Sequence, residues 1–226
     1  MATYVYIIKN FSPSLLMLSL GTSKRNCCVR CFRPTIACIC GWITPLQSEV
    51  ALLVLQHPQE VSNAKGSARL LFLSINGCAL AEGEQFEAAE LEERLHADGR
   101  VPLLLYPEMP GGRALGLPAP PAPDPALLGN PARLRLVVLD GTWRKSRKML
   151  YLNPCLQGLP RLALSEAAPS RYLIRKAHAA HQLSTLEATC YALAQLEGNM
   201  ERYTPLLDAF GRFVARFLAT RGRLGT

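Results

Sequence analysis

The chain has 226 residues, of which 49% are hydrophobic, enough for one large domain or for a domain with a small appendage. Its net charge of +8, mostly from arginine, indicates a polyanionic partner. Arginine favours bidentate phosphate contacts and base stacking, so nucleic acid is preferred over other polyanions. The early apolar run over residues 15–20 is far too short for a membrane span.

Residues 1–24 are predicted to be a flexible N-terminal extension, or the product of an upstream start codon. Their apolar stretch is short, and no small-x-small cleavage site follows it, so a secretion signal is not expected. The predicted compartment is therefore the reducing cytoplasm, where clustered cysteines bind metal more often than they form disulfides.

Four cysteines with the spacing C-x2-C-x6-C-x-C follow this extension: Cys28, Cys31, Cys38 and Cys40. Tetrahedral zinc prefers four such thiolates from two tight chelating turns. Residues 25–45 are therefore predicted to form a small zinc-binding module with a closed, structural site. Cys27 could replace Cys28 as the first ligand, although the x2 spacing favours Cys28. The alternative is that these cysteines are buried or incidental.

Residues 46–226 are predicted to form one α/β domain. Continuous apolar runs predict buried strands over residues 50–56, 101–106, 134–139 and 162–164. Helical patterns lie between and after them, over residues 64–75, 87–96, 142–152, 184–196 and 204–219. The Gly/Pro-rich stretch 111–131 is predicted to be a surface loop. Strands that alternate with helices indicate a parallel sheet.

The string Asp140-Gly141-Thr142-Trp143 comes at the carboxyl end of a predicted strand and opens a helix, where open α/β sheets bind ligands. Gly141 allows a close turn, Thr142 can cap the helix, and Trp143 offers a flat face for stacking. Asp140 is a candidate base at the mouth of a pocket. The alternative is a helix cap beside a core tryptophan.

Ser184 and Thr185 open another predicted helix. A helix N-terminus with two hydroxyls suits a carboxylate, but Ser184 with Glu187 also fits a capping box that needs no ligand. Both interpretations can hold together.

The stretch over residues 171–176 combines cations with an aromatic residue, which suits phosphate and base contacts. The alternative is a solvated basic loop. His57, His178 and His181 lack an acidic or nucleophilic pattern and are predicted to be surface histidines.

Five ordered strings resemble those of DTW-domain proteins, and in particular of bacterial tRNA-uridine aminocarboxypropyltransferases. They are the cysteine cluster, His57-Pro58-x-Glu60, Asp140-Gly141-Thr142-Trp143, Tyr172-x-Ile174-Arg175-Lys176 and Leu183-Ser184-Thr185-Leu186-Glu187-Ala188. The resemblance covers residues 25–200. One departure is Lys65-Gly66-Ser67-Ala68-Arg69, where relatives often have Asn-Thr-Gly-Arg.

The resemblance implies a SPOUT-like, trefoil-knotted domain. It implies transfer of a 3-amino-3-carboxypropyl group from S-adenosylmethionine to N3 of a tRNA uridine, with the variable loop favoured and methylthioadenosine released. A monomer without a membrane or an obligatory protein partner is expected. Two alternatives stay open: a SPOUT-type RNA methyltransferase and a non-catalytic, zinc-containing RNA-binding protein.

The resemblance also implies roles for individual residues. Asp140 and Trp143 would be catalytic. The cosubstrate would contact Leu139, Thr142, Trp143, Leu164, Tyr172, Leu183, Ser184 and Thr185. The RNA would contact Arg69, Arg147, Lys148, Arg171, Arg175 and Lys176.

Overall fold

The computed structural model describes residues 26–61, 63, 67–107, 119–164 and 183–222. The predicted N-terminal extension lies outside these residues, as does the basic stretch over residues 171–176. His178 and His181 lie outside them too.

A five-stranded, fully parallel sheet forms the centre of the domain, in the order β2-β1-β4-β3-β5. Its strands are β1 (Ala51–Gln56), β2 (Ala79–Glu82), β3 (Val101–Leu105), β4 (Leu134–Asp140) and β5 (Arg161–Leu162). All seven residues of β4 are buried, as expected for a strand covered on both faces. The predicted parallel α/β sheet is confirmed.

Eight α-helices surround the sheet among the described residues. They are α1 (Pro58–Val61), α2 (Ala68–Ser74), α3 (Ala88–His96), α4 (Pro125–Leu128), α5 (Trp143–Leu152), α6 (Pro154–Gln157), α7 (Thr185–Glu197) and α8 (Met200–Gly222). Short 3-10 turns occur at Thr35–Ala37, Cys40–Trp42, Ala97–Gly99 and Pro131–Arg133. No helix within the described ranges combines the length and apolar character that a membrane span requires.

Two apolar cores lie on opposite faces of the sheet. One contains side chains of α2, α7 and α8, and the cysteines also pack against it. The other contains side chains of α3, α5 and α6. The fold is therefore a three-layer α/β/α arrangement, because each face of a parallel sheet needs a helical cover.

Several elements differ from the predicted ones. Strand β2 was not predicted, because this edge strand is only partly buried and has no continuous apolar run. Helix α8 begins at Met200, before the predicted start at residue 204, with Pro205 inside its second turn. Part of the predicted loop over 111–131 is helical, since Asp124 caps α4 by accepting from the N–H of Ala126.

Candidate functional site

A cleft of about 670 Å³ opens at the carboxyl edge of the sheet, beside the ends of β3, β4 and β5. The strand order reverses between β1 and β4, and ligands of open α/β sheets bind near such a reversal. Six predicted cosubstrate contacts line the cleft: Leu139, Thr142, Trp143, Leu164, Leu183 and Thr185. Ser184 is absent from the described lining, and Tyr172 lies outside the described residues.

Asp140 lies beneath the cleft, not in its described lining, and is 5% exposed. Its Oδ1 accepts from the Thr185 hydroxyl at 2.6 Å, and its Oδ2 accepts from Nε2 of Gln56 at 2.7 Å. Gln56 is its register partner on β1. Burial raises the pKa of the Asp140 carboxyl, although these two hydrogen bonds oppose the rise. The carboxylate therefore orients Thr185, which does line the cleft.

Trp143 begins α5 at the mouth of the cleft and is 52% exposed. Its ring meets that of Tyr106 edge-on, with 5.7 Å between centroids. Thr142 caps the helix by accepting from the N–H of Lys145 at 3.4 Å. The capping role considered for Thr142 is present. Trp143, however, is half in solvent and is not the core tryptophan of the alternative interpretation.

The N-terminus of α7 is already largely satisfied by protein groups. Ser184 forms a complete capping box with Glu187. Its hydroxyl both donates to the Glu187 carboxylate at 2.7 Å and accepts from the Glu187 N–H at 3.2 Å. The N–H of Leu186 donates to the Ser67 hydroxyl at 3.2 Å. The capping interpretation of Ser184 therefore holds, and little of this helix end is left for an anion.

An ion pair and a histidine hydrogen bond lie next to Gly141, outside the described lining of the cleft. Lys145 Nζ lies 2.6 Å from Glu60 Oε1. Burial raises the pKa of Glu60, but the bonds from Lys145 and Asn63 more than offset it, so the net shift is downward. A Cβ added at Gly141 would lie only 3.1 Å from Lys145 Cβ, so only a glycine fits this turn without displacement.

His57 provides the histidine hydrogen bond next to Gly141. Its prediction as a surface histidine is wrong, because it is only 5% exposed. Its Nδ1 accepts from the N–H of Gln59 at 3.2 Å. That assignment leaves Nε2 as the donor to Glu84 Oε1, at 2.9 Å. Glu84 Oε2 also lies 2.8 Å from Lys148 Nζ. The strand-end position of His57 could have suggested burial.

The cysteine module, residues 26–45, brings the four predicted ligands together. The Sγ atoms of Cys28, Cys31, Cys38 and Cys40 all lie within 4.8 Å of one another. The Cys28–Cys40 and Cys31–Cys38 sulfur pairs are 3.6 and 3.7 Å apart. Tetrahedral zinc with bonds of about 2.3 Å needs sulfurs about 3.8 Å apart, so the cluster fits that ion.

Cys27 does not belong to this group of sulfurs; it is exposed and its backbone pairs with Pro34. Backbone N–H groups of Cys31 and Arg30 lower the pKa of the Cys28 thiol to about 6. Burial and the neighbouring sulfurs raise that of Cys40 to about 12. The geometry thus selects Cys28, not Cys27, as the candidate ligand.

The DTW domain family model matches residues 25–218, which is most of the chain and includes the cysteine module, the cleft and most of α8. The chain belongs to the DTW domain family. No solved structure gives a significant match to it.

Relatives within the family include proteins named tRNA-uridine aminocarboxypropyltransferase 2. The Mus musculus protein is 30% identical over 182 residues, which cover 78% of this chain and 58% of that protein. The Drosophila melanogaster protein is 29% identical over 187 residues, 79% of this chain and 70% of that protein. The Macaca fascicularis protein is 29% identical and only 58% covered. This DTW chain thus spans under two thirds of the two mammalian relatives.

Predicted RNA contacts of the DTW chain fall into three groups. Arg147 and Lys148 are exposed on α5, with Lys148 paired to Glu84. Arg69 packs against the cysteine module, where it donates to the carbonyl of Arg30 at 3.2 Å. Arg171, Arg175 and Lys176 lie outside the described residues.

Sequence reasoning missed Arg144, which follows Trp143 and is the one charged side chain among the described residues that line the cleft. The signal was available, because Arg144 is the second residue of a helix that opens beside the predicted site. The rest of the lining is apolar or hydroxyl-bearing. A single cation in such a setting suits one negatively charged group of a ligand.

Proposed function

We propose that this protein transfers a 3-amino-3-carboxypropyl group from S-adenosylmethionine to N3 of a uridine in tRNA and releases methylthioadenosine. The observation that supports this most is the joint placement of Trp143, Arg144 and Thr185 around one cleft in a chain of the DTW domain family. The relatives named tRNA-uridine aminocarboxypropyltransferase 2 favour the same reaction. The variable loop is the proposed location of the uridine.

The cosubstrate supplies a sulfonium leaving group: N3 bonds to the methylene next to sulfur, the carbon–sulfur bond breaks, and the N3 proton is released. The chain's own task is to hold two partners in line and to accept that proton. The described lining of the cleft includes no carboxylate or imidazole. Proton acceptance is therefore assigned to the pair formed by Thr185 and Asp140.

In this pair, Asp140 is a positioning residue and the Thr185 hydroxyl faces the reacting atoms. The hydroxyl donates its own proton to Asp140 Oδ1, so its lone pairs are directed elsewhere and can accept. The raised pKa of Asp140 makes the carboxylate a better proton acceptor than an ordinary surface aspartate. Asp140 thus acts as the orienting acceptor and, through Thr185, as the base.

Arg144 is assigned to the carboxylate of the transferred group. Arginine binds carboxylates with two parallel hydrogen bonds, and the capped end of α7 offers little competition for that charge. Trp143 and Tyr106 would form the wall beside the methionine moiety, and the apolar ends of β4 and β5 would hold the adenosine. Exposed cations of α5, with Arg171, Arg175 and Lys176, would contact RNA phosphates.

The cysteine module is proposed to hold one structural zinc ion through Cys28, Cys31, Cys38 and Cys40. The sulfur spacing supports that ion, and four protein ligands leave no coordination position for catalysis. A SPOUT-like knot, a monomeric state and a cytoplasmic location stay predictions.

Nucleoside mass spectrometry tests the proposed reaction. Transfer RNA incubated with the protein and S-adenosylmethionine should gain the mass of one aminocarboxypropyl group on uridine. A methyl adduct would instead identify an RNA methyltransferase. No adduct, with tRNA binding intact and no heat on titration with S-adenosylmethionine, would identify a non-catalytic RNA-binding protein.

A further inference from the structure

The cysteine module carries an exposed apolar surface that packing within the chain does not explain. Val29, Phe32 and Ile36 are 89%, 68% and 98% exposed. All three lie between or beside the cysteines, and together they are called the module tip. Large apolar side chains exposed close together in sequence are candidates for a binding surface. The question is which partner fits the module tip.

Phe32 is the most informative residue of the tip, because its φ is +56°. A bulky L residue rarely adopts this left-handed conformation, whereas glycine does so freely. Burial does not compensate for the strain, since most of the side chain is in solvent. A strained backbone that presents an exposed aromatic ring points to a function for the ring.

The Phe32 ring is also held in place by a cation. The Arg69 guanidinium lies 4.7 Å from its centroid and 5.2 Å from that of Phe72. Arg69 is fixed in turn by its bond to the carbonyl of Arg30. The result is a supported aromatic ring with a positive charge on one side. Such a platform suits the π-face of a nucleotide base.

The charge of the residues around the module tip favours a polyanionic partner. From residue 26 to residue 48 the sequence contains no aspartate or glutamate, and it contains Arg30 and Arg33. Unpaired RNA bases stack on aromatic rings and on guanidinium planes, while nearby arginines contact the phosphates. Four thiolates with one Zn2+ would carry a charge of −2, which Arg30 and Arg33 offset, so Arg69 supplies the positive charge beside the ring.

Hydrogen bonds join the cysteine module to segments that follow the carboxyl end of β1, at the edge of the sheet where the cleft opens. Arg33 Nη2 donates to the carbonyl of Asn63, in the segment that follows the carboxyl end of β1. The Leu186 N–H bond to Ser67 joins the start of α2, which contains Arg69, to the start of α7, which contains Thr185. An RNA seated in the cleft can therefore extend over the tip.

We propose that the module tip is a second RNA contact, in which an unpaired base of the substrate RNA stacks on Phe32 with Arg69 behind the ring. The inference rests on the proposed function for the identity of the RNA, but not on the transfer reaction. It gives the metal module a role in substrate recognition beyond folding.

The test replaces Phe32 by glycine and by asparagine in the full chain, because both residues tolerate a positive φ. The melting temperature should be unchanged or higher, since the strain is relieved, and the metal content should be unchanged. Affinity for tRNA, measured by filter binding, should fall roughly 5- to 150-fold, the range expected for loss of one stacked base. Phe32→Trp should keep the affinity.

Salt dependence separates stacking from charge. The Phe32 variants should lower affinity without changing the slope of log affinity against log salt, whereas loss of a phosphate contact lowers the slope by about 1. Unchanged tRNA affinity in both the glycine and asparagine variants would overturn the proposal and assign the tip to a protein partner. A fall in affinity accompanied by loss of metal would overturn it as well, because Phe32 would then be structural.

The binding assay also distinguishes this inference from the proposed function. If the wild-type chain binds tRNA more tightly than the Phe32 variants but forms no adduct in mass spectrometry, the proposed reaction alone is wrong. If the wild-type chain and the Phe32 variants form the adduct equally well and bind tRNA with equal affinity, the stacking proposal alone is wrong.

Discussion

The hydroxyl of Thr185 donates a 2.6 Å hydrogen bond to Oδ1 of Asp140 and thereby joins the first residue of α7 to the last residue of β4. The same carboxylate accepts from Gln56 on β1. One buried group thus connects two adjacent strands with the helix that borders the cleft. The position of the Thr185 hydroxyl is a consequence of this connection.

Replacing Thr185 by valine removes the hydroxyl but keeps the side-chain shape. We expect the rate of adduct formation to fall roughly 100-fold or more, the usual effect of losing a group that moves a proton. Thr185→Ser keeps the hydroxyl and should retain most of the activity. The measurement is single-turnover formation of modified uridine by mass spectrometry. Equal rates for the valine and serine variants would remove Thr185 from proton transfer.

Asp140→Asn tests the raised pKa of the buried carboxyl. A carboxyl whose pKa is raised on folding stabilises the fold fully below its unfolded value of about 3.9, and that contribution is lost as pH rises through the folded pKa. Asparagine does not titrate. The variant should therefore gain stability relative to the wild-type chain as pH rises above about 4, while adduct formation falls.

Urea unfolding of both chains at several pH values measures this difference. If the free energy of unfolding of the asparagine variant instead fell relative to that of the wild-type chain as pH rose, the Asp140 pKa would be lowered. The hydrogen bonds from Thr185 and Gln56 would then outweigh burial. That outcome would favour a permanently charged anchor over a proton acceptor.

The sequence predicted the parallel sheet and the location of the cleft, because continuous apolar strands and a helix-opening turn are local signals. Thr142, Trp143 and Thr185, which were predicted to contact the cosubstrate, line that cleft. It did not predict that Asp140 faces Gln56, since that contact depends on the register of β1 against β4. Strand order and register are set by long-range packing, which a single sequence does not display.

The same limit applies to the charged residues. Arg69 and Lys148 were both predicted to contact RNA; in the structure the Arg69 guanidinium lies against the Phe32 ring and Lys148 pairs with Glu84. Whether a cation is free or engaged depends on neighbours that are distant in sequence. His57 was misjudged for the same reason, because Glu84 and Gly141 approach it only in the fold.

Lys145→Met should destabilise the fold by about 1–3 kcal/mol at pH 7, because it leaves the Glu60 carboxylate, 12% exposed, without its cation. The pKa of Glu60 is lowered by this pair, so its contribution exists above the unfolded value and is lost as pH falls. The cost of the variant should shrink toward pH 4. Urea unfolding at both pH values is the measurement.

Arg94→Met provides the matched control for this ion pair. Arg94 and Glu90 are also 2.6 Å apart, but their side chains are 38% and 47% exposed. Exposed pairs at this helical spacing contribute only about 0.3–0.5 kcal/mol. Equal costs for Lys145→Met and Arg94→Met would show that burial of Glu60 does not strengthen its pair.

Metal analysis of cysteine variants tests the module. Wild-type chain should hold one zinc ion, Cys28→Ser should lose it, and Cys27→Ser should keep it, because only Cys28 joins the sulfur cluster. Loss of metal should also lower the melting temperature, since Trp42 and Arg33 of the module pack on Phe213 of α8. Metal retained in Cys28→Ser but lost in Cys27→Ser would exchange the assignment of the two residues.

Two neighbouring cations of α5 differ in what they can offer to RNA. Arg147 is exposed, whereas Lys148 must leave Glu84 before it can reach a phosphate. Arg147→Ala should therefore reduce the salt slope of tRNA binding by about 1, and Lys148→Ala should reduce it less. Filter binding between low and moderate salt provides both slopes.

Arg133 supplies the control for this comparison, because it is exposed just before β4, at the opposite edge of the sheet from the cleft. Arg133→Ala should leave the salt slope unchanged, since an RNA bound at the cleft does not reach that edge. If Arg133→Ala lowered the slope as much as Arg147→Ala, binding would reflect the net charge of the chain, and α5 would have no special place in it. A fall confined to Arg147 would place the RNA backbone along α5, directly beside Trp143 and the mouth of the cleft.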